Sequence, residues 1–198
     1  MNRDKISIEN IVISGDKVRI REKRLADVRD DYNWCRDLEL SQLDAAQPLN
    51  MSYSDFLSEY TVEMHSPSLI RRRLGVDTLG GEHIGNCSYY NIDLPRSEAE
   101  VGIMIGNRDY WGKGYGTDTI KSLVKYLFQC TPFSRLYLKT LDWNLRAQTC
   151  FKKSGFIPYN SIQRDGFKFL MMELTRNQWQ KLQKEKAFDD KRDIFPAR

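Results

Sequence analysis

The sequence predicts a mixed α/β fold with the element order β-β-α-α-β-β-β-α-β-α-β-β-α. Three observations carry this. Ile120, Leu123, Val124, Leu127 and Phe128 recur at the spacing of one helix face. Other segments are rich in β-branched and aromatic residues and are bounded by turn signals. The hydrophobic period switches between these two types along the chain.

The elements follow in order. Residues 5–13 and 17–22 read as short strands around the turn Ser14-Gly15-Asp16. Leu25, Val28, Tyr32 and Cys35 repeat at helical spacing and predict one helix over 25–43. Pro48 breaks the chain. A second helix follows over 53–65, capped by Ser52 or Ser54, with Phe56, Leu57 and Tyr60 as its apolar stripe. Pro67 ends it. Residues 69–78, 82–92 and 98–105 predict three antiparallel strands, divided by Leu79-Gly80-Gly81 and by Asp93-Leu94-Pro95-Arg96. The clearest helix spans 117–129. Residues 135–141 alternate like a strand. A short helix covers 145–154, with Asn144 as N-cap and Gly155 just past its end. A hairpin of 156–163 and 167–174 turns at Asp165-Gly166. The stretch from Lys181 to Arg198 reads as a final helix.

A length of 198 residues suits one domain. With 40% hydrophobic and 29% charged residues, a disordered chain is excluded. Apolar runs are a few residues long, far short of a membrane span, so no membrane partner is expected. The start, MNRDKISIEN, has no apolar stretch of a leader, which predicts a cytoplasmic protein. Cys35, Cys87, Cys130 and Cys150 are then expected as free thiols. With no CxxC and with His65 and His83 far apart in sequence, no metal site is expected. A formal charge of +4, well mixed, argues against a nucleic-acid partner.

The charge is unevenly spread. Residues 25–65 hold nine acids and two bases, a balance of −7, which leaves the rest of the chain at +11. Such a segment suits a cationic ligand beside an anionic one. It equally suits the wet faces of two helices.

The chemistry concentrates in the segment 101–117, VGIMIGNRDYWGKGYGT. A strand runs into a loop with Gly112, Gly114 and Gly116, which opens the strongest helix. Glycines let the backbone approach a ligand and turn several N–H groups into one concavity. The helix N-terminus adds partial positive charge, and Lys113 a full one. Together they form a phosphate-type anion site. Tyr115 after Gly114 excludes GxxxxGK[ST], and Thr117 in the last place excludes GxGxxG.

These residues resemble the GNAT superfamily of acyl-CoA N-acyltransferases, and within it the RimJ/RimL-like branch. EVGIMIGNRDYWGKGYGTDTIKSLVKYLF is the most specific part. LYLKTLDWNLRAQTCFKKSGF is similar to the family's Asn-x-x-Ala-x-x-x-Tyr-x-x-x-Gly-Phe run, and VRIREKRLADVRDDYNW resembles the branch's first strand and helix. The resemblance implies one domain over 1–176, with a C-terminal helix and tail over 177–198. It implies a mostly antiparallel sheet of six to seven strands, flanked by helices, with a V-shaped splay between two parallel strands. Acetyl-CoA would lie in that splay as co-substrate. Its pantetheine arm would pair with Ile103, Met104 and Ile105. Its pyrophosphate would sit on the N–H groups of Gly112, Lys113, Gly114, Tyr115, Gly116 and Thr117. Asn144 would bond the cofactor or fix the cleft, a role compatible with a plain N-cap.

Two departures stand out. Trp111 occupies the place where the family usually has Gln or Arg. Phe151 stands where many members have a Tyr that protonates the leaving thiolate. A thiolate of ordinary pKa, about 8.5, leaves tolerably without that help. Cys150 reads as packing rather than as a nucleophile.

The implied chemistry is direct attack of an amine on the thioester, with a backbone N–H near Met104–Ile105 stabilising the oxyanion. Glu100 is the first candidate base and Asp142 the second; either is also readable as a solvated strand end. The acidic segment would cover the acceptor side, with Trp34, Asp37 and Glu39 as contacts. The expected acceptor is a cationic amine: a protein N-terminus, a polyamine or an aminoglycoside-like polycation. Trp111 and Phe151 keep a non-catalytic acyl-CoA-binding module open. Exposed strand edges make a homodimer plausible.

Overall fold

The computed structural model describes residues 11–66 and 68–194, with side chains up to 185 and at 187 and 188. Strands β1 (Val12–Ser14) and β2 (Val18–Glu22) pair antiparallel across the turn at Gly15. A Cβ at position 15 would overlap the Asp118 carboxylate. That carboxylate accepts hydrogen bonds from the N–H groups of Asp16, Lys17 and Val18, pinning the turn to a helix a hundred residues later. Most of the strand expected over 5–13 lies outside the described residues.

The helix expected over 25–43 is broken. A 3-10 turn (Leu25–Asp27) leads into α1 (Val28–Arg36), and α2 (Leu38–Leu43) follows as a separate piece. Asp37 lies between them in extended backbone (φ −71°, ψ 125°), and its side chain accepts from the Leu40 N–H at 3.0 Å. A short acid that bonds a nearby amide competes with helix continuation and starts a new helix instead. Helix α3 (Tyr53–His65) is as expected, and Ser52 is its cap.

Strands β3 (Arg71–Thr78), β4 (His83–Asp93) and β5 (Glu98–Ile105) are the expected antiparallel run. Helix α4 (Tyr115–Cys130) then crosses over to β6 (Arg135–Leu141), which lies parallel to β5. After α5 (Leu145–Lys153), β7 (Ile157–Arg164) and β8 (Phe167–Thr175) form the hairpin, with β8 against β6. The sheet has eight strands, ordered β1-β2-β3-β4-β5-β6-β8-β7, rather than six to seven. Helix α6 (Arg176–Ile194) begins earlier than the Lys181 expected from composition. No described helix is long and apolar enough to cross a membrane.

The apolar stripe of α4 is the centre of the core. Ile120, Leu123, Val124, Leu127 and Phe128 are all at most 1% exposed, against Val18, Ile20, Leu136 and Leu138 of the sheet. Each such side chain contributes roughly 1.5–3 kcal/mol by leaving water, so α4 is held firmly at both ends. Trp179 and Leu182 of α6 pack on the same cluster. A smaller cluster of Val28, Tyr32, Phe56 and Tyr60 joins α1 to α3.

A buried ionic network ties α1 to the sheet. Arg21 reaches Asp27 at 2.7 Å and Asp77 at 2.6 Å. Lys23 reaches Asp31 at 2.7 Å, and Asn86 donates to Asp31 at 2.7 Å. His83 lies between Asp31 and Asp77, at 3.3 and 3.4 Å.

Candidate active site

Strands β5 and β6 pair only where residues 98–100 face residues 135–137. Beyond Glu100 they part, while β5 stays paired with β4 as far as Ile105. Gly85 of β4 permits that, since a Cβ there would overlap the Met104 carbonyl. One edge of β5 over 101–105 is thus left without a strand partner. A cleft of about 480 Å³ opens there, within the range of small-molecule sites.

Ile103, Met104 and Ile105 form one wall of the cleft, and α5, from Asn144 onward, forms the opposite one. Gly112, Gly114, Gly116 and Thr117 line its floor. Gly112 (φ 71°) and Gly114 (φ 88°) are left-handed, a backbone state that costs a residue with Cβ about 1–2 kcal/mol. Nothing lies within 4 Å of where a Cβ at Gly112 would stand. An open strand edge for amides, leading to a glycine cradle at a helix start, fits an acyl-CoA. Asn144 is the N-cap of α5, its Oδ1 accepting from the Ala147 N–H at 3.1 Å, and the residue lies in the cleft lining.

The structure sorts the remaining candidates. Trp111 lies in the cleft wall; its indole N–H donates to the Ile105 carbonyl at 2.6 Å. Lys113 and Tyr115 flank the cradle without lining the cleft; Tyr115 stacks edge-on with Tyr110. Phe151 packs into the core against Phe156, so its ring does not line the cleft. Glu100 also stays out of the lining. It is 3% exposed, and its oxygens accept from Tyr90 Oη, Asn91 Nδ2 and Lys139 Nζ at 2.8–3.0 Å. A carboxylate so bound is a structural anchor rather than an open base. Asp142 is exposed beside Lys168, outside the lining as well.

The acceptor candidates are used internally. Asp37 and Glu39 both bind Arg108, at 2.7 and 2.8 Å. That contact fastens α2 to the loop between β5 and α4. Trp34 lies against the Gly106 backbone and 5.0 Å from the His83 ring.

Other residues build the site. Leu40 and Leu43 of α2, with Asp44 as its C-cap, close one end of the cleft. Among the described residues Asp44 is the only acidic one in its lining. The surrounding protein desolvates its carboxyl and raises its pKa, against the opposing pull of Lys139 and Arg71. Asp44 is itself exposed, so that desolvation is incomplete. Arg146 of α5 also lines the cleft, its guanidinium 3.4 Å from the Trp111 ring. Tyr110 donates to Glu82 at 2.5 Å, a bond that pushes its hydroxyl up to about 12. Burial raises the Cys150 thiol, so no thiolate forms there at neutral pH. All four cysteines are free. Among the described residues no three His, Cys, Asp or Glu group to hold a metal.

Comparison with known proteins agrees with this geometry. Residues 17–157 match the family model for the acetyltransferase (GNAT) domain. An uncharacterized N-acetyltransferase p20 of Bacillus licheniformis is 31% identical over 81 residues, which is 38% of this chain and under half, 45%, of that relative. Aminoglycoside N(6')-acetyltransferase type 1 of Klebsiella pneumoniae is 22% identical over 85% of this chain and 88% of its own length. Among solved structures, spermidine N-acetyltransferase of Vibrio cholerae, in complex with CoA and spermine, superposes with a TM-score of 0.72. It is 19% identical and the match covers 82% of this chain and 97% of that one. Aminoglycoside acetyltransferase AAC(6')-Ib with coenzyme A gives a TM-score of 0.68 at 21% identity, covering 83% and 98%. The splayed strands, the glycine cradle and the family match lead to one conclusion: the chain belongs to the GNAT family and is an acetyl-CoA-dependent N-acetyltransferase.

Proposed function

We propose that the acceptor is a primary amine on a small cationic molecule, of polyamine or aminoglycoside type, and that Asp44 receives its proton. The observation that carries this is the position of Asp44. Among the described residues it is the single carboxylate lining the cleft, at the end that α2 closes, with no cation at ion-pair distance and Lys139 and Arg71 acting only at longer range. An ammonium group entering there meets a negative charge in a partly desolvated place, where the attraction is strong. Two relatives whose names specify aminoglycosides and spermidine support a polycation.

Acetyl-CoA, when bound, supplies an activated acetyl thioester. The chain's residues do the rest. The open edge of β5 at 103–105 holds the carrier arm and offers a backbone N–H to the developing oxyanion. The N–H groups at 112–117 hold phosphate. Asp44 takes a proton from the ammonium, freeing the nitrogen lone pair to form the C–N bond as the C–S bond breaks. The sulfur leaves as a thiolate, and the second proton, shed by the newly acylated nitrogen, passes to it through water. A carboxyl raised above its ordinary value is a better base than an unshifted one.

The test is CoA release with acetyl-CoA and a panel of polyamines, aminoglycosides and basic N-terminal peptides. Polycations are expected to turn over best; preference for the peptides would favour a RimJ/RimL-like enzyme instead. Asp44→Asn should lower kcat/KM by about 100-fold or more. It should also remove the acid limb of the pH profile. Protonation of Asp44 switches the wild type off as pH falls, and the raised pKa moves that limb upward from where an ordinary aspartate would put it. An unchanged limb overturns the role of Asp44.

A further inference from the structure

The phosphate end of the cleft contains an unusual pairing. Trp111 stands where a cationic or amide side chain would meet phosphate. Its N–H is already used by the Ile105 carbonyl. Its ring is flanked by two guanidiniums, Arg146 at 3.4 Å and Arg108 at 5.4 Å. They differ in what neutralises them. Arg108 has two carboxylates, Asp37 and Glu39. Arg146 has no carboxylate at ion-pair distance among the described residues; Glu39 acts on it only at longer range, and Arg108 repels it. A planar cation therefore lies over an aromatic face in the cleft, with no hydrogen-bond acceptor on its N–H groups among the described residues. Arginine held in this way is preorganised for the fork geometry of phosphate oxygens. A cation–π stack at an exposed site adds little stability, so the placement serves orientation more than stability.

We infer that Arg146, seated on Trp111, binds a phosphate group of acetyl-CoA and supplies the side-chain charge that the loop lacks at 111. This rests on the family reading that the cleft holds acetyl-CoA. Two sources of phosphate are present in that molecule, the diphosphate and the 3′-phosphate, and the ligand series below separates them. Trp111 is the positioning residue and Arg146 the binding one.

The experiment is calorimetric titration of the wild type, Arg146→Gln, Arg146→Lys and Trp111→Leu. The probes are acetyl-CoA, its 3′-dephospho analogue and S-acetyl-pantetheine; melting curves confirm that each variant folds. Arg146→Gln is expected to weaken acetyl-CoA binding by about 10- to 100-fold, the loss of one or two charge-assisted bonds. KM for acetyl-CoA rises in step while kcat holds. S-acetyl-pantetheine, which lacks both phosphates, is expected to bind wild type and variant alike. Arg146→Lys recovers part of the loss, and Trp111→Leu makes Arg146→Gln less costly than it is in the wild type. If the penalty persists with the dephospho analogue, the diphosphate is the partner; if it disappears, the 3′-phosphate is. Equal acetyl-CoA affinity for wild type and Arg146→Gln overturns the inference while leaving the acyltransferase reading intact. No binding by the wild type overturns both.

Discussion

Trp34 shows how far a residue's role departs from its composition. An aromatic residue in the acidic segment suggests a contact for a cationic acceptor. In the fold its ring lies flush against the backbone at Gly106, where β5 ends, and a Cβ at 106 would overlap it. Gly106→Ala should cost about 1–3 kcal/mol, as overpacking does, and lower Tm by several degrees. The same change made in Trp34→Leu should cost clearly less, because the colliding ring is gone. Melting curves of the four proteins check this; equal costs in both backgrounds would show that the ring is not what restrains position 106. Glycines 112, 114 and 116 were legible because phosphate chemistry asks for them in one short loop. Gly106 was not, since its demand arises from a side chain seventy residues earlier. Arg146 was hidden in the same way: its meaning depends on Trp111 lying beneath it.

Element by element, the sequence predicts well wherever one face is buried. The stripe on α4 and the strands around β5 follow from burial alone, and they appear within two residues of expectation. The failure is the helix over 25–43, where Asp37 outcompetes propensity with a single side-chain bond. The buried charges of α1 were likewise illegible, because their partners come from β2, β3 and β4. Asp31 illustrates their energetics. Burial alone would raise its carboxyl, but His83, Lys23 and Asn86 more than compensate and hold it well below the ordinary range. A carboxyl lowered on folding contributes stability above its unfolded value, about 3.9. That contribution is lost as pH falls from there through the folded value. Asp31→Asn is thus expected to destabilise by about 3 kcal/mol at neutral pH, since it removes the nearer carboxylate of buried Lys23 and leaves it Asp27 at 3.5 Å. It should also flatten the acid limb of stability against pH. Urea midpoints over that range measure both effects. A variant as acid-sensitive as the wild type would remove Asp31 from the account.

Taken as a whole molecule, the charge asymmetry has a different meaning from the one its sum suggests. Of the nine acids between 25 and 65, Asp27, Asp31, Asp37, Glu39 and Glu63 are engaged by cations of the chain itself. The segment is therefore more a set of internal fasteners than a broad field, and among the described residues Asp44 carries the negative charge of the cleft lining. For a cationic acceptor, KM should rise with salt between about 0.01 and about 1 M, as screening shortens from roughly 30 to roughly 3 Å. Asp44→Asn should flatten that rise, whereas Glu59→Gln, on α3 away from the cleft lining, should leave it. Steady-state kinetics of the three proteins decide it. A rise that survives in Asp44→Asn would return the effect to the segment as a whole.

The clasp at Asp118 has a consequence of its own. One carboxylate gathers three amides of the β1–β2 turn, and it sits in the first turn of the helix opened by the glycine cradle. The N-terminal hairpin is therefore moored to the start of that helix, beside the glycine cradle that opens it. A segment outside the cleft lining thus shares one anchor with the floor of the cleft.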